Sequence, residues 1–121
     1  MELDLSRQNI VSLTFEKEKV LVRYLDGSAK EIELSEGLKE LDCSNNQLTT
    51  LEGLPKGLEE LYCSGNLLAS LEGLPEGLKE LYCSRNQLTT LEGLPEGLKK
   101  LNCSRNQLTT QIGRASCRER V

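Results

Sequence analysis

Residues 37–56 read GLKELDCSNNQLTTLEGLPK, and nearly the same twenty residues then occur twice more. The following units are GLEELYCSGNLLASLEGLPE (57–76) and GLKELYCSRNQLTTLEGLPE (77–96), and GLKKLNCSRNQLTT (97–110) begins a fourth. The first and third units differ at three of 20 positions. Self-similarity at a fixed period indicates a repeat architecture in which each unit packs on its neighbours.

Each unit contains a short segment in which apolar and polar residues alternate. In the first unit Leu41 and Cys43 fall on one side of an extended strand, and Glu40 and Asp42 fall on the other. A strand of this length is not stable alone, so copies must stack to bury the Leu/Cys side. The repeat therefore predicts a column of parallel strands with one polar face.

The recurring pattern L-x-x-L-x-C-x-x-N-x-L-x-x-L-x-x-L-P over residues 36–110 closely resembles the leucine-rich repeat family, in the short 20-residue form common in bacterial proteins. The resemblance implies a mostly β fold, a right-handed solenoid with a parallel β-sheet on its concave side. Pro55, Pro75 and Pro95 favour an extended or polyproline-like opposite side, so we expect little α-helix.

The first 35 residues differ from the repeats but share part of their pattern. Leu3, Leu5 and Ile10 fall where Leu41, Cys43 and Leu48 fall later, although Gln8-Asn9 departs from the repeat. We interpret this as a degenerate first coil. The alternating segments over residues 10–34, with Asp26-Gly27 between two of them, predict a β-meander that covers the N-terminal edge of the solenoid.

Two invariant columns are expected to be structural. The cysteines are interpreted as small buried hydrophobic residues with inert thiols, and no C-x-x-C pair points to a metal or redox site; they are Cys43, Cys63, Cys83 and Cys103. The asparagines are expected to bond backbone groups left unpaired where each strand ends; they are Asn46, Asn66, Asn86 and Asn106.

The outward side of the strands, which we call the concave face, is the predicted binding surface. One column on this face changes identity from unit to unit and contains two tyrosines, and tyrosine is enriched at interface hot spots. The alternative is drift on a solvated surface, with tyrosine favoured by strand packing. The predicted partner-binding residues are Glu40, Asp42, Glu60, Tyr62, Glu80, Tyr82, Arg85, Lys100, Asn102 and Arg105.

Composition excludes several function classes. The sequence has no histidine, so it offers neither Ser-His-Asp nor Cys-His catalysis nor a histidine-containing metal site. A net charge of −4 gives no electrostatic case for nucleic acid or an anionic membrane. We expect no cofactor, no enzymatic activity and a cytoplasmic location, or alternatively a secreted effector without a cleaved signal peptide.

The sequence thus predicts a non-catalytic protein-interaction module, monomeric unless its uncapped C-terminal end self-associates. The alternative is the N-terminal recognition segment of a larger protein, because some bacterial effectors with similar repeats carry a C-terminal ubiquitin-ligase domain. A surface adhesin or lipoprotein is a third interpretation. The partner itself is not indicated by any motif.

Residues 111–121, QIGRASCRERV, break the repeat abruptly. Residues 112–121 resemble the translation of a DNA-sequencing adapter, whose next codon is a stop. We therefore expect residues 111–121 to be a non-native tail on a truncated fragment, and Cys117 to have no structural meaning. The alternatives are a functional basic tail or a C-terminal cap, although the tail has few apolar residues.

Overall fold

The computed structural model describes residues 1–34 and 37–108. The interpretation of residues 111–121, including Cys117, therefore lies outside the described residues. Within the described part the secondary structure consists of strands, turns and bends, without a helix. The eight strands are β1 (Glu2–Asp4), β2 (Ile10–Phe15), β3 (Lys19–Tyr24), β4 (Ala29–Glu33), β5 (Glu40–Asp42), β6 (Glu60–Tyr62), β7 (Glu80–Tyr82) and β8 (Lys100–Asn102).

Five of these strands form one parallel sheet in the order β1-β5-β6-β7-β8. The chain makes one turn between each two successive strands from β5 to β8, whereas β2 to β4 lie between β1 and β5 in the chain. We number the coils 1 to 5 by their parallel strands, from β1 to β8. Equivalent positions of the repeat lie side by side, as in the pairing of Leu41 with Leu61 and of Leu61 with Leu81. Leu3 pairs with Leu41, so β1 takes the register that the alignment of the first coil predicts. The predicted fold class, a parallel β-solenoid with little helix, is confirmed.

The core runs along the solenoid as columns of identical side chains. Leu41, Leu61 and Leu81 are completely buried, and Leu101 is nearly so. The leucines that follow the strands complete the interior of each coil, and Leu48, Leu68 and Leu88 have no exposed surface. A repeating hydrophobic column allows each coil to bury its apolar face only against the next coil, which is why the fold requires several copies.

The other sheet is antiparallel, and it meets coil 2 where the Ile10 carbonyl accepts a hydrogen bond from Gln47 N–H at 2.9 Å. Its order is β2-β3-β4, and the β3–β4 connection contains Asp26 and Gly27, as the hairpin pattern predicts. Gly27 has a φ of 92°, a conformation that glycine adopts without strain. Ile10, Val20 and Val22 are fully buried in the same hydrophobic cluster as the solenoid leucines. The antiparallel sheet therefore packs directly against the solenoid core.

Candidate functional site

The concave face presents the polar residues of the five parallel strands in register. The first outward position forms a column of four glutamates that ends in lysine: Glu2, Glu40, Glu60, Glu80 and Lys100. The second outward position forms a mixed column: Asp4, Asp42, Tyr62, Tyr82 and Asn102. Since neighbouring strands lie about 4.8 Å apart, side chains of each column interact with their neighbours.

The glutamate column holds like charges close together. Partial burial, together with a hydrogen bond to Glu2 and repulsion from Glu2 and Glu60, raises the pKa of Glu40. The ion pairs found among the described residues lie elsewhere; on the repeats they join Lys39 and Lys79 to Glu59. No ion pair within residues 1–34 and 37–108 neutralises the concave glutamates. The N-terminal part of the face therefore carries an excess of negative charge that is not ion-paired.

Tyr62 and Tyr82 form a stacked pair at the centre of the face. Their ring centroids are 4.7 Å apart and the planes differ by 3°. The Tyr82 hydroxyl donates to Glu80 Oε1 at 2.7 Å, and the Tyr62 hydroxyl donates to Glu60 Oε1 at 3.3 Å. The bond to Glu80 and burial raise the pKa of Tyr82 to about 12. Burial and the charge of Glu60 raise the pKa of Tyr62 to about 12, so both hydroxyls stay protonated donors at neutral pH.

The other members of the mixed column have a structural contact that sequence reasoning missed. Asp42 Oδ1 accepts a hydrogen bond from the backbone N–H of Ser44 at 3.0 Å. Asn102 Oδ1 accepts in the same way from Ser104 N–H at 3.2 Å and from its hydroxyl at 2.9 Å. An Asp or Asn two residues before a serine is the sequence pattern typical of such turns, and both coils contain it. Asp42 and Asn102 therefore support the turn after the strand, a role that tyrosine cannot take.

Arg85 and Arg105 lie beside the strands at the rim of the concave face. Both are exposed and both have left-handed backbone conformations, with φ of 54° and 55°. Asn45 and Gly65 occupy the same position in coils 2 and 3, with φ of 58° and 71°. Arg7, with φ of 55°, is the equivalent residue of coil 1, and the sequence analysis did not single it out. The rim thus places cations beside coils 1, 4 and 5.

The asparagine column makes the contacts that the sequence analysis predicts, between one coil and the next. Asn66 Nδ2 donates to the carbonyl oxygens of Cys43 and Cys63, both at 3.0 Å, and its Oδ1 accepts from Leu48 N–H at 3.0 Å. Asn86 repeats this pattern one coil further on, and Asn46 and Asn106 make equivalent contacts. These side chains bind backbone rather than a ligand.

The cysteine column is buried in the core. Cys43, Cys63 and Cys83 are free thiols without exposed surface. Cys103 is also buried, with 1% exposed, but it is disulfide-bonded, so the prediction of an inert thiol is wrong at this position. Burial raises the pKa of Cys43 and of Cys83 to about 12 and raises the pKa of Cys63 well above its ordinary value. A buried, protonated thiol is neither a nucleophile nor a metal ligand. In the part of the chain that the structure describes, no cluster of three or more Cys, Asp or Glu residues is arranged to hold a metal.

A shallow depression of about 350 Å³ lies at the N-terminal end of the concave face. Four carboxylates line it, together with Leu3 and the side of the Tyr62 ring that faces coil 2. The carboxylates are those of Glu2, Asp4, Glu40 and Asp42. Sequence reasoning did not select Glu2 or Asp4. The alignment of the first coil was the signal, because it places these two residues beside Glu40 and Asp42.

The comparisons with known proteins concern the repeats. Residues 36–76 match the family model described as Leucine Rich repeats (2 copies). None of the curated proteins compared with the chain matches it. Separately, the described residues contain no helix of a length and apolarity that would cross a bilayer.

Proposed function

Because the chain is a leucine-rich repeat protein, we propose that it is a non-catalytic module that binds a protein partner through its concave face. Leucine-rich repeats are in general protein-interaction modules. The concave face is the extended polar surface that the stacked coils leave open, and such surfaces are what solenoid proteins use for recognition. The residues proposed to contact the partner are those predicted from the sequence, with Tyr62 and Tyr82 at the centre.

The stacked tyrosine pair is the observation that carries this proposal. The same column accommodates Asp42 and Asn102, which complete the turn after their strands, so the scaffold does not require an aromatic ring at this position. The two rings form a rigid, half-buried surface with hydroxyls held by Glu60 and Glu80. A pre-ordered aromatic surface loses little conformational entropy on binding and is typical of interface hot spots.

The non-catalytic part of the proposal has its own support. The free thiols of Cys43, Cys63 and Cys83 are protonated and buried, so they are not available for nucleophilic attack. The chain also lacks histidine, which is the most frequent general base. The polar groups of the concave face are mainly carboxylates that repel one another, an arrangement suited to attracting a partner of opposite charge.

Comparative affinity capture would test the proposal. The immobilised native protein is compared with Tyr62→Ala/Tyr82→Ala and with Glu52→Ala/Glu72→Ala, whose glutamates are exposed away from the concave face. We expect proteins recovered by the native chain to be lost with the tyrosine variant and retained with the glutamate variant. Circular dichroism and thermal denaturation establish that the variants are folded. Equal recovery by the native and the tyrosine variant would contradict the assignment of the site.

A further inference from the structure

Charge is distributed unevenly along the concave face. The outward positions of coils 1 and 2 carry four carboxylates, Glu2, Asp4, Glu40 and Asp42. Coils 3 and 4 add one glutamate each beside the tyrosine pair. The order then reverses, because coil 5 places Lys100 in the glutamate column and the exposed Arg85 and Arg105 lie at the same end. The face therefore has an acidic end, an aromatic centre and a basic end.

The acidic end has one rim cation, Arg7 beside coil 1, against its four carboxylates. None of the ion pairs found in residues 1–34 and 37–108 includes Glu2, Glu40 or Glu60. Burial and a hydrogen bond to Glu2 raise the pKa of Glu40, and repulsion from Glu2 and Glu60 raises it further. A partner that placed cations over coils 1 to 3 would relieve that repulsion, and a partner that placed carboxylates there would increase it.

The shape of the acidic end distinguishes among cationic groups. One face of the Tyr62 ring lies against Tyr82, and the ring also lines the 350 Å³ depression, so its opposite face is available there. The carboxylates of Glu40 and Asp42 line the same depression. A planar guanidinium can stack on an aromatic ring and at the same time donate two parallel hydrogen bonds to one carboxylate, which an ammonium group cannot.

We propose that the concave face binds an extended protein segment whose arginine side chain occupies the depression beside Tyr62. The basic end of this segment lies over coils 1 to 3, and its acidic or neutral end lies over coil 5. This inference rests on the proposed function and adds the chemistry and direction of the partner. Five strands span about 19 Å at a spacing of about 4.8 Å, and an extended chain rises about 3.3 Å per residue. About six residues of the partner therefore cover the face.

The test is selection from a displayed library of random twelve-residue peptides on the native protein. The selected peptides are then measured by fluorescence anisotropy against Glu40→Gln/Glu60→Gln and against Glu52→Gln/Glu72→Gln. Both variants change the net charge by the same amount, and glutamine at position 60 keeps the oxygen that accepts the Tyr62 hydroxyl bond. We expect arginine enrichment over the starting library, an affinity loss of about tenfold for the concave variant and less than about twofold for the other.

The outcomes separate this inference from the proposed function. Selected peptides without an arginine excess, or with lysine at equal frequency, would overturn the inference even if they lose binding on Tyr62→Ala/Tyr82→Ala. Equal affinity losses for the two glutamine variants would also overturn it, since they would reveal attraction by net charge alone. Peptides that bind regardless of the tyrosine and the glutamine substitutions would contradict the proposed function as well. Failure to select any peptide counts against the inference.

Discussion

Replacing Asn66 by alanine removes hydrogen bonds within its own coil and the two that join it to the preceding coil at the centre of the solenoid. The side chain is 4% exposed, and its amide links backbone groups of Cys43, Leu48 and Cys63. The substitution affects the hydrogen bonding of these three backbone groups differently. The Cys43 carbonyl also accepts from Asn46, and the Cys63 carbonyl also accepts from Asn86, so both oxygens keep a partner. The N–H of Leu48 loses its acceptor, and residues 1–34 and 37–108 offer it no other.

The expected cost follows from this difference. One buried backbone donor left unsatisfied costs about 1–3 kcal/mol. Because the carbonyls remain bonded, we place the loss for Asn66→Ala at about 2 kcal/mol, with a small further contribution from the lost packing. This is a large share of the 5–15 kcal/mol that is typical of a folded domain.

Urea denaturation followed by circular dichroism measures the loss, and Asn66→Asp tests its mechanism. Aspartate keeps the acceptor for Leu48 but replaces the donating amide by a second oxygen that faces the carbonyls of Cys43 and Cys63. We therefore expect Asn66→Asp to be less stable than Asn66→Ala at pH 7 and to recover as the pH falls, because protonation removes the buried charge. A loss below about 0.5 kcal/mol for alanine, or an aspartate variant with stability independent of pH, would refute the reasoning.

Three further predictions concern charge, thiol burial and backbone conformation. Glu40→Gln should raise the melting temperature at pH 7 but leave it unchanged below pH 4.5, the ordinary pKa of glutamate. The pKa of Glu40 is raised in the native state, so the native protein loses stability as the pH rises from 4.5 through that raised pKa, and glutamine avoids this loss. Equal gains at both pH values in thermal scans would refute this. Iodoacetamide should modify Cys63 about a hundredfold more slowly in the native protein than in urea, as measured by peptide mass spectrometry, since reaction requires opening of the core; comparable rates would contradict the burial. Gly65→Ala should lower the free energy of unfolding by about 1 kcal/mol in urea denaturation, because φ is 71° and the new Cβ would meet the Asn45 side chain. Gly57 lies outside the left-handed region, so Gly57→Ala should lower it by less than about 0.5 kcal/mol.

The sequence was sufficient for the scaffold because the repeat makes register unambiguous. A period of 20 residues brings each leucine beside its own copy, so the parallel pairing of Leu41 with Leu61 follows from stacking alone. The Asn66 contacts were also predictable in kind, since a buried amide that recurs at each turn must satisfy backbone groups. The adjacency of Tyr62 and Tyr82 followed from the register, but the interplanar angle of 3° depends on side-chain rotamers that sequence pattern does not specify.

The variable column shows why the candidate site was harder to predict than the scaffold. The variation within this column suggested that its residues have no structural role. The structure instead shows two kinds of local hydrogen bonding in the column. Asp42 and Asn102 use a side-chain oxygen to hold the serine two residues later. The tyrosine coils lack that oxygen, and there the Ser84 hydroxyl donates to the Ser64 hydroxyl at 3.0 Å instead. The serine is therefore bonded within its own turn in the Asp42 and Asn102 coils, and to the neighbouring coil where the column holds tyrosine.

The first coil shows how an exception to the repeat follows from the same hydrogen bonds. Gln8-Asn9 replaces the expected order, yet the turn after β1 closes, because Asn46 of the next coil donates to the Leu5 carbonyl and accepts from the N–H groups of Gln8 and Ile10. Asn66 and Asn86 likewise bond the coil before their own. Each asparagine thus completes the preceding turn as much as its own. A coil therefore tolerates the loss of its own asparagine when no preceding turn depends on that residue. Coil 1 meets this condition, because β1 is the edge strand of the parallel sheet among the described residues.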